Sequence, residues 1–261
     1  MLAGLNPAFD AILLSRVEDA GLNASAPPQQ RWIDGWLLRF SPGKAKRARC
    51  VNAVAIGRSP LNERLEACAQ VFAQAGLPLI VRITPFTLPA DLDRRLEQQG
   101  LQRFDDTRVM VLSDMRGTGS PCPAGVTIQP IGLEAFAHRV GGFRGSALAQ
   151  RQAHAERLLN APVPFFGFEL RAEGEAVGCG QFALEGDLVG LYDVFTAHAA
   201  RGRGLARLLC HHLLVLACSQ GARHAYLQVE GDNHAARSVY HRLGFADAYA
   251  YHYRTRDPSA A

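Results

Sequence analysis

The chain has 261 residues, room for one large domain or two small ones. Hydrophobic residues make up 48% and charged residues 20%, which excludes a mainly disordered chain. The 28 Lys+Arg against 24 Asp+Glu leave a formal charge of +4, too small a basic excess to imply a nucleic-acid partner, and no apolar run of 18 residues is present to span a membrane.

Taken in chain order, the pattern predicts a helix over 7–20, strands at 35–40 and 50–56, and a helix over 61–75. A strand at 79–83, a helix over 90–99 and a strand at 107–112 follow. Glycine, proline and serine crowd the stretch 117–125 and mark a break, which divides the chain into 1–118 and 119–261. Beyond it come a strand near 126–129, helical stretches within 133–160, and strands at 165–171, 176–184 and 188–195. A helix over 205–219, a strand at 225–229, a helix over 233–243 and a strand at 248–253 complete the reading. Consecutive strands followed by strand–helix alternation predict an α/β fold with a mixed sheet.

The halves repeat. Gly100 and Gly244 each end a helix, and the same offset of 144 places Leu61 on Leu205, Leu65 on Leu209 and Phe72 on Leu216. The six cysteines (Cys50, Cys68, Cys122, Cys179, Cys210 and Cys218) form no CxxC pair and no metal-ligand spacing. Together with an N-terminus that lacks a basic n-region, they predict reduced thiols, a cytoplasmic protein and no metal.

Tyr192–Arg207 carries the densest signal: a strand end, a short linker, then RGRGLA opening an apolar helix. Glycine at 202 and 204 removes the Cβ atoms that would keep an anion from the backbone. The first N–H groups of a helix lack internal partners and point along a dipole that favours negative charge. Such a turn suits a diphosphate, with Arg201 and Arg203 adding charge. Neither the GxxxxGK[ST] nor the GxGxxG spacing is present, which argues against the common nucleotide loops. Downstream, Asp232 or Asn233 caps a helix that ends at Gly244, and Ala236, Val239, Tyr240 and Leu243 form its apolar stripe.

Together these segments resemble the GNAT superfamily of acetyl-CoA-dependent N-acetyltransferases. RGRGLA at Arg201–Ala206 matches its R/Q-x-x-G-x-G/A loop, and N-x-x-A-x-x-x-Y-x-x-x-G-F appears at Asn233–Phe245. His198 departs from the proline of many members, and Ala206 from the second small glycine. The resemblance implies two GNAT-like mixed α/β domains, each a mostly antiparallel splayed sheet flanked by helices. Residues 119–261 would be the catalytic domain and 1–118 a degenerate, non-catalytic one, as in tandem GNAT proteins.

It further implies that Val194, Phe195 and Thr196 offer backbone groups to the pantetheine arm of acetyl-CoA. The N–H groups of Arg201, Gly202, Arg203, Gly204, Leu205, Ala206 and Arg207 would hold the diphosphate. Asn233 would touch the arm or an ordered water. Tyr240 would protonate the departing thiolate, and the Val194 N–H would stabilise the oxyanion. Asp193, Glu230, Glu185 or a water are open as the base.

In the first half, at the offset of 144, Pro60 stands for Gly204, Gly57 for Arg201, Leu96 for Tyr240 and Pro89 for Asn233, which removes that chemistry. Lys44, Lys46, Arg47 and Arg49 read as a solvated turn, or more sharply as a contact for an anionic substrate. Phe165, Phe166 and Phe168 line either the acceptor site or a half-buried strand. The expected activity is transfer of acetyl from acetyl-CoA to the amine of a small molecule or peptide by direct attack on the thioester. A silent acyl-CoA sensor or scaffold is the alternative. Neither nucleic acid nor membrane is expected as a partner, and the chain is expected as a monomer or homodimer.

Overall fold

The computed structural model describes residues 4–41, 45–115 and 122–260. Lys44 and the expected boundary between 118 and 119 lie outside them. The first half comprises α1 (Ala11–Ala24), β1 (Gln30–Ile33), β2 (Trp36–Arg39), β3 (Val51–Ala53), α2 (Leu61–Gln74), β4 (Val81–Ile83), α3 (Leu92–Gln98) and β5 (Gln102–Leu112). The second comprises β6 (Val126–Ile131), α4 (Leu133–Phe143), α5 (Leu148–Leu159), β7 (Phe165–Ala172), β8 (Glu175–Glu185) and β9 (Leu188–Thr196). It closes with α6 (Leu205–Ser219), β10 (His224–Glu230), α7 (His234–Arg242) and β11 (Ala246–Thr255).

Among the described residues, eleven strands form one sheet in the order β1–β2–β3–β4–β11–β5–β10–β9–β8–β7–β6. Only β3–β4 and β10–β9 run parallel. About the β11–β5 pair, β4–β3–β2–β1 on one side answer β10–β9–β8–β7 on the other, with β6 as an extra edge strand, and each half has given its last strand to the other. β5 pairs with β10, and β11 with β4. The helices α2 and α6 begin at 61 and 205, and β5 and β11 at 102 and 246, the same spacing of 144 each time.

Some boundaries differ from the sequence reading for identifiable reasons. Asp10 accepts the Ile12 N–H, so α1 starts at 11 rather than 7. Gly145, at a φ of 63°, splits the helical stretch 133–160 into α4 and α5. The strand expected at 107–112 starts five residues earlier, because β11 pairs with it back to Gln102 despite the charged run Asp105–Asp106. Cross-strand pairing overrides the local propensity there.

The sheet is covered on both faces in the second half. Leu205, Leu209 and Leu213 of α6 pack with Phe182, Leu227 and Phe245 on one side. On the other, α1 lies over Tyr226, Tyr249, Tyr251 and Tyr253, while α4 and α5 cover Phe165 and Cys179. Trp36, Phe72 and Leu92 centre the core of the first half. A buried ion pair of the first half is tied to the second by one hydrogen bond: Glu18 of α1 accepts from both Arg82 Nη atoms and, at 2.8 Å, from the Tyr249 hydroxyl of β11.

Candidate active site

The site begins where two parallel strands separate. Leu188–Leu191 of β9 pair with His224–Leu227 of β10; past that point β9 continues to Thr196 and β10 to Glu230 with no further pairing between them. On its other side β9 steps from the Tyr192–Gln181 pair to the Phe195–Cys179 pair, so Asp193 and Val194 together oppose Gly180. This bulge, with Asp193 at a φ of 50°, releases backbone from the ladder at the mouth of the fork. Val194 packs toward α6, and Phe195 stacks on Phe143 at 5.5 Å. The Thr196 hydroxyl is buried without a hydrogen-bond partner.

The strand leads through a short turn into the loop before α6. Gly202 and Gly204 hold φ values of 77° and 74°, a region that L side chains enter at about 1–2 kcal/mol. A Cβ at either would meet nothing within 4 Å, so the loop faces open space. Among the described residues, no hydrogen bond engages the N–H groups of Gly202–Arg207. The loop is exposed, and Leu205 turns inward to anchor the helix. Arg201 bends back to donate to the Thr196 carbonyl at 3.2 Å, over the Phe195 ring. Arg203 and Arg207 enter no ion pair among the described residues. They border a cavity of about 610 Å³ with Leu112, Met115, His211 and Arg242. Unengaged donors, two left-handed glycines facing open space and an orphaned hydroxyl at the strand end fit an extended ligand with a diphosphate.

Tyr240 lies on α7 and packs against the same core as Val194, edge-on to Phe245 at 6.1 Å. Burial, with Cys210 beside it, pushes its phenol well above the usual range, so it stays protonated at neutral pH. Asn233 is the N-cap of α7, its Oδ1 accepting the Ala236 N–H at 3.1 Å.

The candidate bases separate clearly. Burial alone would raise Asp193, but His154 and Arg144 overrule it and hold the carboxyl far below the usual range. Arg144 Nη1 is 2.8 Å from Oδ1, while Gln181 Nε2 and His154 Nε2 lie 2.7 and 3.3 Å from Oδ2. A carboxylate so engaged is a weak proton acceptor. Glu185 pairs with Leu188 at the far end of the hairpin, six strand residues from Val194 and so on the order of 20 Å away. Glu230 is exposed at the open end of β10.

The equivalent loop of the first half is filled by the chain itself. The Asp34 carboxylate accepts the N–H groups of Arg58 and Ser59, each at 2.9 Å, and pairs with buried Arg64 at 3.1 Å. Those backbone bonds hold it well below the usual carboxylate range. A Cβ at Gly57 would strike the Arg64 guanidinium, and Pro60 caps α2 where Gly204 caps α6.

Sequence reasoning missed two features. His154 meets Asp193 across a sheet–helix contact with no local signature. Lys44 aside, the basic run does not stay a solvated turn: Lys46 pairs with Asp105 at 3.1 Å, and Arg47 turns inward and donates to Gln228 at 2.7 Å and to Tyr251 at 3.2 Å. Phe166 and Phe168 stack on Phe182, and Phe165 packs on the opposite face, so all three serve the core.

Residues 14–254 match the family model described as "Probable histone acetyltransferase Rv0428c C-terminal". The uncharacterized N-acetyltransferase YobR of Bacillus subtilis strain 168 is 27% identical over 242 residues, 87% of this chain and 92% of its own. Among solved structures, a GCN5-related N-acetyltransferase from Kribbella flavida superposes with a TM-score of 0.68 at 18% identity, over 95% of both chains. A tandem GNAT protein from the clavulanic acid biosynthesis pathway gives 0.60 at 14% identity, over 76% of this chain and 70% of that one.

Proposed function

We propose, from the premise that the chain belongs to this acetyltransferase family, that residues 119–261 transfer acetyl from acetyl-CoA to an amine, while residues 1–118 support that site without chemistry of their own. The chain is a GNAT-type N-acyltransferase by family and fold. The observation that carries the choice of acetyl-CoA is the loop Arg201–Arg207, with two left-handed glycines, unengaged N–H groups and open space before them. The same loop in the first half holds the Asp34 carboxylate and the Arg64 guanidinium, which supports a seat in the second half alone.

In this reading the N–H groups of Gly202–Arg207 hold the diphosphate, and the arm runs along Val194–Thr196 past the Thr196 hydroxyl and Asn233. Acetyl-CoA supplies the thioester. The Val194 N–H, at the bulge, donates to the oxygen as charge gathers on it. The Tyr240 hydroxyl gives its proton to the leaving sulfur, a role that suits a phenol kept protonated by burial. Asp193, locked to Arg144 and His154, positions the bulge, and the amine proton passes to water or to Glu230. The free thiols among the described cysteines suit a reducing cytoplasm.

Thermal shift with acetyl-CoA and thiol release with an amine panel test this. Stabilisation at micromolar acetyl-CoA and amine-dependent thiol release are expected. No stabilisation at a hundred times that concentration would overturn the reading. The family description names histone as an acceptor, so a basic histone-tail peptide belongs in the panel.

A further inference from the structure

Resting on that reading, we infer that the acceptor amine also carries an anionic group, a carboxylate or phosphate, which docks on Arg47 and Arg157 at the fork between β9 and β10.

Gln228 is the first residue of β10 beyond its last pair with β9, and Tyr192 the first of β9. Both lie on the sheet face opposite α6, where the first half closes over the fork. Arg47 reaches this point from the first half. Its guanidinium touches Gln228 and the Tyr251 hydroxyl, its Nε is buried without a partner, and no carboxylate lies within 4.0 Å of it among the described residues. Among the described residues, Arg157 of α5 donates only to the Ala24 carbonyl, at 3.3 Å, and it lies close enough to Arg47, Tyr192 and Asp193 to feel their charges. Both arginines are half-buried as residues, and desolvation by burial works against the charge of each guanidinium.

The surrounding charge is unbalanced. Among the described residues, the side chain of Arg39, 3% exposed, bonds only the Ser25 hydroxyl, and Arg82 uses up Glu18. Glu185 accepts from Asn23 through Oε1 and keeps a buried Oε2 without a partner, and Asp193 is committed to Arg144, Gln181 and His154. Tyrosine hydroxyls at 192, 226 and 251 supply neutral donors beside this excess, Tyr192 and Tyr226 bonding each other at 2.8 Å. Desolvated guanidinium groups without counter-charge are unfavourable, and a planar fork of donors matches carboxylate or phosphate oxygens. Two residues of strand rise, roughly 7 Å, separate the fork from Val194. Amine and anion therefore stand a few bonds apart in one small molecule. A polycationic tail would meet like charge.

The test uses paired probes on the full chain: 4-aminobutyrate with its carboxamide, phosphoethanolamine with ethanolamine, and the histone-tail peptide. Thiol release gives kcat/KM, and thermal shift in the presence of CoA gives binding without turnover. At least one anionic probe is expected to exceed its neutral partner at least tenfold in kcat/KM or to stabilise the protein where the partner does not. The productive pair tells carboxylate from phosphate. In Arg47→Gln that ratio is expected to fall below threefold, chiefly through KM, while Arg47→Lys keeps part of it. Arg157→Gln gives the same reading should Arg47→Gln fail to fold, folding being checked by the acetyl-CoA-dependent rise in Tm. Neutral probes or the histone peptide matching the anionic ones, no response to any anionic probe, or a ratio unmoved in the folded variants would overturn the inference. Each of those results leaves the acetyl-CoA reading standing, whereas failure of acetyl-CoA to stabilise the wild-type chain would remove that reading instead.

Discussion

Replacing Gly204 by alanine separates strain from ligand obstruction. At a φ of 74° an L side chain costs about 1–2 kcal/mol, and the new Cβ meets nothing within 4 Å, so no packing penalty adds to it. For a chain of this size that corresponds to a fall in Tm of roughly 2–8 °C. In the proposed binding mode the same Cβ takes up part of the open space at the loop whose N–H groups are unengaged. Losing one or two charge-assisted hydrogen bonds there, at about 1.5–3 kcal/mol each, weakens acetyl-CoA binding by at least tenfold. Differential scanning fluorimetry gives the first quantity and isothermal titration the second. Unchanged affinity would show that the diphosphate does not lie on this loop. A fall in Tm above 15 °C would show that the space is not open.

Three further outcomes are expected. Tyr240→Phe lowers kcat by about 10²–10⁴-fold at saturating acetyl-CoA while its dissociation constant moves less than threefold, and equal turnover would remove the acid role. Glu18→Gln leaves the Arg82 guanidinium, 2% exposed, without counter-charge; urea unfolding should show a loss of about 3–5 kcal/mol, and a loss below 1 would refute the buried pairing. Because the Asp193 carboxyl is depressed in the folded state, its contribution is full above about pH 4 and fades as pH falls further toward the folded value. Asp193→Asn should therefore be less stable than wild type at pH 7 by about 1–3 kcal/mol and closer to it at pH 3, and a pH-independent gap in urea titrations would contradict the ionic account.

What was legible in the sequence was local. RGRGLA states its own turn, because two glycines before an apolar helix leave the backbone few alternatives. The Asn233 cap and the Gly244 stop bound α7 in the same way. The spacing of 144 held because α2 and α6 keep their leucines and β5 and β11 their place after a glycine. What escaped depends on contacts that no short window contains. Arg47 meets Gln228 181 residues later, and nothing in KRAR distinguishes an inward guanidinium from a solvated one. The bulge at Asp193 needs a left-handed φ from a non-glycine residue, sustained by Arg144, Gln181 and His154 from three other elements. Nor did propensity reveal Asp34 lying across the first half's loop, since its partners are backbone N–H groups 24 and 25 residues on.

The exchange of β5 and β11 makes the two halves mechanically inseparable. Separate the halves and β11 loses both β4 and β5, while β10 keeps a bare edge beside the fork it makes with β9. Neither fragment could restore its own sheet except by borrowing a strand from a second molecule. The covalent link thus does the work of a permanent dimer, holding the strands of one half against those of the other.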